Sequence, residues 1–212
     1  MGQELAGAEG GVVAASRKGA GRAVAKRGMD LCACVPLAAA MLLVGLALVV
    51  LNPVLNPGPL LFSQVRMGRH GRPFTLWKFR SMAPGPLPRG PFEPVEAHRI
   101  GRFGACLRRS RLDELPQVLN ILRGEMSLVG PRPDCFEHAL AYLDQVPGYR
   151  ARTAVQPGLT GLAQISAGYA EDAEALEAKV AADRAYLATA SLALDLRIAW
   201  RTVGVVLRMK GR

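Results

Sequence analysis

An uncharged apolar segment from Leu31 to Leu51 constrains the fold of this chain more than any other feature. A helix of 21 such residues is long enough to cross the roughly 30 Å hydrocarbon core of a bilayer. A cleaved signal peptide is a poor match, because the run is too long and lacks an Ala-x-Ala-like site before a polar start. A buried core helix is the alternative, but an uncharged run of this length favours a membrane.

Basic residues flank the apolar segment on both sides. They are Arg17, Lys18, Arg22, Lys26 and Arg27 before it, and Arg66, Arg69, Arg72, Lys78 and Arg80 after it. Because Lys and Arg favour the cytoplasmic side of a membrane, a straight span would satisfy only one flank, whereas a re-entrant helix would satisfy both. Pro36 removes a backbone hydrogen bond inside the run and predicts a bend there. A single span that carries a basic domain is the alternative.

These features predict three parts of the chain. A disordered basic tail over 1–25 precedes the re-entrant membrane helix over 26–52, and a cytoplasmic catalytic domain occupies 53–212. The predicted fold class is a small mixed domain of the α/β type, mostly helical with a short β-hairpin. Amphipathic interfacial helices accompany it, since the C-terminal segment fits either a helix on a membrane surface or one packed on the core.

Local patterns place the hairpin and a short helix. The segments 60–66 and 73–80 resemble strands around a glycine-containing turn. The sequence "PQVLNILRG" predicts a helix that starts at Pro116 and ends before Gly124. A helical charge pattern extends over 171–190.

The charge balance limits the possible partners. A formal net charge of +10 and a pI of about 10.1 favour polyanions, whether nucleic acid, anionic lipid headgroups or phosphorylated substrates. Nucleic acid is not predicted, because aromatic residues make up only 6% and no base-stacking platform or recognition helix is recognisable. Four cysteines without a C-x-x-C pair and three histidines argue against a zinc site.

Two adjacent carboxylates, Asp113 and Glu114, lie among several arginines in "RRSRLDELPQVLN". A capping box beginning at Ser110 is the simplest structural explanation. Acids placed just before a helix that starts at Pro116 would lie at its positive end, and we expect both to be ionised there. An ionised Asp can act as a nucleophile. A neighbouring acid can hold Mg²⁺ that bridges phosphate oxygens.

Basic residues in two further motifs fit a phosphate-containing substrate. Lys78 and Arg80 are two residues apart in "LWKFRSM" and therefore face the same side of a predicted strand. Arg132 lies between two prolines, which restrict its backbone. Arginine is suited to bidentate phosphate contacts, although each of these residues alone could equally be a solvated surface charge.

Four motifs together resemble the monotopic phosphoglycosyl transferases of the bacterial sugar transferase family. They are "KRGMDL" with the apolar run, "FTLWKFRSM", "LDELPQVLNILRGEMSLVGPRP" and "VQPGLTGLAQ", and the resemblance extends from about Lys26 to the C-terminus. It implies an enzyme that transfers a sugar-1-phosphate from a UDP-sugar to membrane polyprenyl phosphate, usually undecaprenyl phosphate, with release of UMP. A reaction of this kind is the first membrane step of glycoconjugate or exopolysaccharide synthesis.

The resemblance also implies roles for individual residues. Asp113 would attack the β-phosphate and form a covalent phosphosugar intermediate, and Glu114 would associate with Mg²⁺. Lys78 and Arg108 would complete the catalytic group. The expected substrate contacts come from Arg80, Arg132, Arg152 and Gln164. The segment "GLAQISAGY" departs from the common "GWAQVNGRN", so we expect a sugar preference that differs from that of members keeping the tryptophan.

The expected location is the bacterial inner membrane, with the catalytic domain and both helix flanks on the cytoplasmic side. The expected partners are a UDP-sugar, polyprenyl phosphate and inner-membrane lipid. A catalytically inactive basic protein that is anchored to a membrane and binds anionic lipid or a partner protein is the alternative. Neither the sugar nor the oligomeric state follows from the sequence.

Overall fold

The computed structural model describes residues 2–83, 85, 90, 93, 96–166 and 173–208. The long helix α1 (Gly2–Leu55) opens the chain and contains Pro36 and Pro53. The predicted division into a disordered basic tail over 1–25, a membrane helix over 26–52 and a catalytic domain over 53–212 stays a prediction.

One face of α1 packs along the rest of the domain. Cys34 joins a buried cluster with Phe74 and Val118, and Leu48 joins a second cluster with Phe79. The opposite face is apolar and exposed, and consists of Val35, Leu42, Leu43, Leu46, Val49, Val50 and Val54. The segment Gly21–Leu55 is long and apolar enough to cross a membrane, and a window of 18 residues within it has a mean hydropathy of 2.7. Its re-entrant course stays a prediction.

The predicted hairpin is present. Strand β1 (Leu61–Met67) pairs in antiparallel fashion with β2 (Pro73–Phe79) around a 3₁₀ turn at Arg69–Gly71. The register places Phe62 opposite Lys78, so these two side chains lie on the same face. The hairpin packs its Phe74 and Leu76 against α1 and the short helix α3.

The acid pair lies in a helical segment that starts earlier than the sequence predicts. After a 3₁₀ turn at Ala97–Arg99 and helix α2 (Arg102–Arg109), a 3₁₀ helix covers Leu112–Gln117 and continues into α3 (Val118–Leu122). Pro116 therefore lies inside the 3₁₀ helix and not at the start of the helical segment. The chain enters this segment through Arg111, which adopts a left-handed conformation with φ of 59°.

A parallel pair of short strands holds the "GPRP" segment. Strand β3 (Ser127–Val129) lies beside β4 (Gly158–Thr160), and the amide of Gly130 donates to the carbonyl of Thr160 at 2.9 Å. A Cβ on Gly130 would lie 2.6 Å from the carbonyl oxygen of Gln156, so this close backbone approach requires glycine.

The remaining helices cover the strands. They are α4 (Phe136–Gln145), a 3₁₀ helix at Tyr149–Ala154, α5 (Leu162–Ser166), α6 (Ala173–Thr189) and α7 (Leu192–Leu207). Ile198 of α7 is buried against Val129, whereas Trp200 on another face is 77% exposed. Helix α7 therefore packs on the core and also presents an apolar face outward. The described fold is mostly helical with a short hairpin, as predicted.

Candidate active site

Both members of the acid pair are buried. Asp113 is 4% exposed and Glu114 is 7% exposed, within the 3₁₀ helix Leu112–Gln117 that follows α2. Because a buried carboxylate loses its hydration, it needs charged or hydrogen-bonded partners to remain ionised. The two acids differ sharply in the partners they have.

Three cations surround Glu114. Lys78 Nζ lies 3.1 Å from Oε1, Arg111 Nη1 lies 3.5 Å from Oε2, and Arg132 binds both oxygens, with Nη1 at 3.1 Å from Oε2. We call Lys78, Arg111, Glu114 and Arg132 the Glu114 cluster. Burial by itself would raise the pKa of Glu114, but Arg132 and Lys78 outweigh it and hold that pKa well below its ordinary value. Glu114 is therefore ionised, as expected from the sequence.

Asp113 has an oxygen without a partner. Its Oδ1 atom is buried and accepts no hydrogen bond. Burial raises the pKa of Asp113, with Lys78 acting in the opposite direction and Glu114 adding to the rise. At Asp113 the effect of burial on the pKa therefore outweighs that of the neighbouring cations, in contrast to Glu114. The Asp113 carboxylate is poorly solvated and has an available lone pair.

The strands bring the cations to Glu114. Lys78 projects from β2 on the face that the hairpin register fixes. Arg132 follows β3 directly, between Pro131 and Pro133, where the parallel pairing with β4 continues as the amide of Gly158 donates to the carbonyl of Pro131 at 2.9 Å. Arg111 reaches Glu114 from the position three residues before it. Residues far apart in the sequence therefore meet at one carboxylate.

Arg108 lies near Asp113. It is in the last turn of α2, and its Nη1 atom is 3.5 Å from the sulfur of Met82. Its charge lowers the pKa of Asp113, although less than Lys78 does. The structure thus brings the predicted residues Asp113, Glu114, Lys78, Arg108 and Arg132 together.

Arg80 points elsewhere. Its guanidinium donates to the carbonyls of Asn56, Pro57 and Pro59, with Nη2 at 2.7 Å from Pro57 O and Nε at 2.8 Å from Pro59 O. The side chain therefore fixes the connection between α1 and β1. A direct substrate contact, as the sequence suggests, does not fit this geometry.

Arg152 belongs to a second buried group, which we call the Asp134 cluster. Its members are Asp134, Tyr149, Arg152, Lys179 and Asp183. Arg152 Nε donates to Asp183 at 2.6 Å, Nη1 donates to Asp134, and Nη2 donates to the carbonyl of Arg132 at 2.8 Å. Arg152 therefore contacts the backbone of Arg132 from behind, with each guanidinium nitrogen engaged, and does not face the acid pair.

Gln164 lies on α5. Its Nε2 atom donates to the carbonyl of Leu159 at 3.3 Å, and its Oε1 atom is buried without a partner. No hydrogen bond among the described residues connects it to the Glu114 cluster. Within the predicted sugar-selecting segment 162–169, residues 167–169 lie outside the described residues.

Sequence reasoning missed several members of these groups. Lys179 and Asp183 are spaced four apart on α6, a pattern typical of a solvated helix face, and nothing in the sequence indicates their burial. Arg66 of β1 donates to the carbonyl of Pro133 at 3.2 Å and leaves a buried Nε without a partner. Asp134 directly follows the "GPRP" motif. This closeness to Arg132 in the sequence is the feature that could have marked Asp134 as a residue near the site.

The residues present do not fit a Mg²⁺ ion held by Glu114. Mg²⁺ binds oxygen ligands and repels cations, and both Glu114 oxygens already face ammonium or guanidinium groups. Among the residues that the structure describes, no group of three or more His, Cys, Asp or Glu side chains is placed to hold a metal. Asp113 is the member of the pair with an available oxygen.

The chain matches known proteins over nearly its whole length. The model of the bacterial sugar transferase family matches residues 21–209. A UDP-N-acetylgalactosamine-undecaprenyl-phosphate N-acetylgalactosaminephosphotransferase from Aeromonas hydrophila is 39% identical over 86% of this chain and 43% of its own length. A UDP-glucose:undecaprenyl-phosphate glucose-1-phosphate transferase from Caulobacter vibrioides is 45% identical over 70% of this chain and 57% of its own length.

A third relative is nearer in length. An exopolysaccharide production protein from Rhizobium leguminosarum is 40% identical over 70% of this chain and 78% of its own length. The chain thus spans about half the length of the first two relatives and most of the third.

Proposed function

Because the chain belongs to the bacterial sugar transferase family, we propose that it transfers a sugar-1-phosphate from a UDP-sugar to a polyprenyl phosphate, with undecaprenyl phosphate as the acceptor and UMP as the leaving product. The relatives' names support both substrates. The buried acid pair and its cations are the proposed active site.

The excess of positive charge at this site is the observation that carries the proposal. Lys78, Arg111 and Arg132 face one ionised acid, Glu114, and Arg108 adds a fourth cation near Asp113. A site with more cations than anions carries a net positive charge, which favours an anionic ligand. A diphosphate supplies that charge, and Arg132 offers the fork geometry that matches phosphate oxygens.

Asp113 is the proposed nucleophile. Its unpartnered Oδ1 attacks the β-phosphorus of the UDP-sugar and forms an acyl phosphate bond, while the bond from that phosphorus to the bridging oxygen breaks and UMP leaves with the electron pair. The acceptor phosphate oxygen then attacks the same phosphorus, forms the diphosphate bond of the lipid product and releases the Asp113 carboxylate. Lys78 and Arg108 favour the ionised form of Asp113 that the first step needs.

Glu114 holds the cations in position for this chemistry. Mg²⁺ stays in the proposal only as a counter-ion of the diphosphate, whose oxygens are its preferred ligands. Arg80, Arg152 and Gln164 are given supporting roles in place of the substrate contacts that the resemblance implies.

The packing of α1 supports a helix that does not cross the membrane. The part of α1 around Cys34 packs near Val118 and the part around Leu48 packs near Phe79, so both ends of the apolar segment lie against the same polar, basic domain. A full crossing would draw that domain into the hydrocarbon. We therefore place both flanks on the cytoplasmic face of the inner membrane, with the exposed apolar faces of α1 and α7 toward lipid.

Cysteine labelling tests this topology. Ala20→Cys and His70→Cys, introduced separately into a protein without its four native cysteines, should react with a membrane-impermeant reagent from the same side. Labelling from opposite sides would show a true span and exclude the re-entrant arrangement.

A UMP-release assay and intact-protein mass spectrometry test the reaction. With a UDP-sugar alone, the purified full chain should release about one UMP per enzyme and gain the mass of a phosphosugar, and polyprenyl phosphate should then discharge it. Full turnover with an unmodified protein mass would exclude the covalent route. A lack of UMP with every UDP-sugar, including UDP-glucose and UDP-N-acetylgalactosamine, would favour an inactive binding protein.

The same assay tests the sugar-selecting segment. Grafting "WAQVNGRN" over 162–169 should change the order of preference among UDP-sugars. An unchanged order with retained activity would show that the selecting residues lie elsewhere.

A further inference from the structure

Three ionic side chains from one turn of α1 bind the core of the domain. We call Lys26, Arg27 and Asp30 the α1 clamp. Asp30 is 1% exposed, and its Oδ1 atom accepts a hydrogen bond from Ser127 Oγ at 3.0 Å and another from the amide of Leu128 at 2.9 Å. Buried hydrogen bonds to a charged acceptor are among the stronger ones in proteins.

The other two members of the clamp, Lys26 and Arg27, bind different elements of the domain. Lys26 Nζ donates to the carbonyl of Val129 and to Asp195, both at 2.9 Å. Arg27 donates to the carbonyls of Ile121 at 2.6 Å and Leu122 at 2.8 Å. Lys26 and Asp30 thus hold strand β3, whereas Arg27 caps the C-terminal carbonyls of α3.

Both elements that the clamp binds, strand β3 and helix α3, adjoin residues of the proposed active site in the sequence. Strand β3 continues through Gly130 and Pro131 to Arg132, which binds both oxygens of Glu114. Helix α3 directly follows the 3₁₀ helix that carries Asp113 and Glu114. The α1 clamp therefore fixes both segments whose side chains meet at the proposed site.

We propose that the α1 clamp is a positioning device for the proposed reaction: it holds Arg132 and the acid pair at their working separation and so makes catalysis depend on how α1 is seated. No member of the clamp contacts the acid pair directly; Asp30 and Lys26 act through β3 on Arg132, and Arg27 acts through α3 on the acid pair. This inference rests on the proposed function for its kinetic consequences, but the structural coupling stands apart from it.

Asp30→Ala tests the clamp, with Asn52→Ala as the matched control. Asn52 ties the other end of the same helix to the domain, donating to the carbonyl of Gly58 at 2.8 Å, and no hydrogen bond among the described residues joins its side chain to β3. We expect Asp30→Ala to lower the rate constant of UMP release by on the order of tenfold, since it removes two hydrogen bonds to a buried carboxylate. Asn52→Ala should change it less than about threefold.

Burst kinetics separate positioning from simple loss of folded enzyme. A variant that is merely less stable has a smaller burst amplitude with the same rate constant, whereas displaced catalytic groups lower the rate constant itself. Asp30→Asn keeps an oxygen that can accept both bonds and should restore the wild-type rate constant. Where Asp30→Ala does not fold, Ser127→Ala removes one of the bonds from the other side and takes its place.

A double-mutant cycle tests the path. If the clamp acts through Arg132, Asp30→Ala should cost less in an Arg132→Gln background than in the wild-type background. Effects that multiply independently would overturn the proposal, as would an unchanged rate constant in Asp30→Ala or an equal loss in Asn52→Ala.

Amide hydrogen exchange gives a readout that needs no activity. In the detergent-solubilised full chain, Asp30→Ala should speed exchange at the amides of Ser127, Gly130 and Gly158, which are hydrogen-bonded around the pairing of β3 with β4, whereas Asn52→Ala should not. Unchanged exchange at these amides would overturn the clamp even if the wild-type enzyme is active. If wild-type protein releases no UMP but exchange responds as expected, the proposed function fails and the coupling stands.

Discussion

The two buried charge clusters of this protein contain similar residues but differ in charge balance. The Glu114 cluster has Lys78, Arg111 and Arg132 around one carboxylate. In the Asp134 cluster, two carboxylates face two cations: Arg152 pairs with Asp134 and Asp183, and Lys179 Nζ lies 2.6 Å from Asp134. The first therefore carries an excess positive charge and the second is neutral.

Their hydrogen bonding differs in the same way. In the Asp134 cluster Tyr149 adds a hydroxyl that donates to Asp134 at 2.8 Å, and each guanidinium nitrogen of Arg152 has an acceptor. Beside the Glu114 cluster, Asp113 keeps a buried oxygen without a donor. A balanced and satisfied cluster stabilises a fold, whereas an unbalanced cluster with an open acceptor is suited to bind and attack an anion.

Arg132 joins the two clusters. Its guanidinium binds Glu114, and its carbonyl accepts from Arg152 at 2.8 Å. The neutral cluster thus supports the backbone of a residue whose charge serves the other cluster, as second-layer groups support active sites elsewhere. Substitutions in the two clusters should therefore separate activity from stability.

Asp113→Asn should produce the largest effect. Removing the nucleophile should lower UMP release by on the order of 10⁴-fold and abolish the phosphosugar adduct. The same change should stabilise the free protein at neutral pH, because it removes a buried carboxylate whose pKa burial raises. Thermal unfolding and the burst assay measure both. A variant that keeps its burst would remove Asp113 from the nucleophile's role.

Glu114→Gln and Asp134→Asn form the next comparison. Glu114→Gln leaves three cations without their carboxylate and should lower kcat/KM by on the order of 10²-fold, because the phosphate-binding groups separate. The Mg²⁺ concentration needed for half-maximal rate should stay unchanged, since Glu114 is not proposed as a metal ligand. An increase in that concentration would restore the metal-ligand assignment.

Asp134→Asn should act mainly on stability. It leaves Arg152 and Lys179 with one fewer carboxylate, and breaking a buried pair costs about 3 kcal/mol. Urea unfolding should show the loss, while the rate constant of the remaining folded enzyme falls less than in Glu114→Gln. The opposite ranking of the two variants would overturn the division between a binding cluster and a structural one.

The pH dependence should separate the titration of Asp113 from that of Glu114 and Asp134 without a substitution. The pKa of Asp113 is raised, so UMP release should increase as pH rises through that pKa. The pKa values of Glu114 and Asp134 are lower in the folded state than in the unfolded state. The stability that each carboxylate contributes is therefore present above its unfolded-state pKa and is lost as pH falls through its folded-state pKa.

A pH range should therefore exist below the pKa of Asp113 in which the protein is folded but inactive. Circular dichroism and single-turnover rates on the same samples define it. Parallel loss of structure and rate on acidification would show that Asp113 does not titrate apart from the acids that stabilise the fold.

The sequence predicts the helices and strands of this molecule well, but it poorly predicts which charged residues pair over long sequence distances. The hairpin, the apolar helix and the meeting of Glu114 with Lys78 and Arg132 follow from periodicity, turn residues and motif resemblance. The raised pKa of Asp113 does not follow, because the sequence shows nearby arginines but not which carboxylate they reach.

The partners of Arg80 and Arg152 could not be predicted from the sequence either. Each is a basic residue in or near a recognised motif, yet one binds three loop carbonyls and the other binds two buried acids. Their partners, among them Asp183 on α6, are set by tertiary packing that local sequence does not encode. A charged residue's partner, and not its motif, decides whether it is available to a substrate.

Tyr149→Phe should produce the smallest effect and probes the edge of the Asp134 cluster. The ring is buried at 2% exposure, lies 4.8 Å beneath the guanidinium of Arg152, and contacts the ring of Tyr142, all of which Phe preserves. Burial and Asp134 raise the pKa of Tyr149, so its hydroxyl is a neutral donor and the substitution removes one hydrogen bond without changing charge. Asp134 keeps Arg152 and Lys179, so the loss should be about 1.5 kcal/mol of unfolding free energy, as for one hydrogen bond to a charged group, with UMP release within about twofold of wild type. A tenfold slower release at nearly unchanged stability would mean that the neutral cluster takes part in catalysis, because a hydrogen bond with only a structural role would not change the rate without changing the stability.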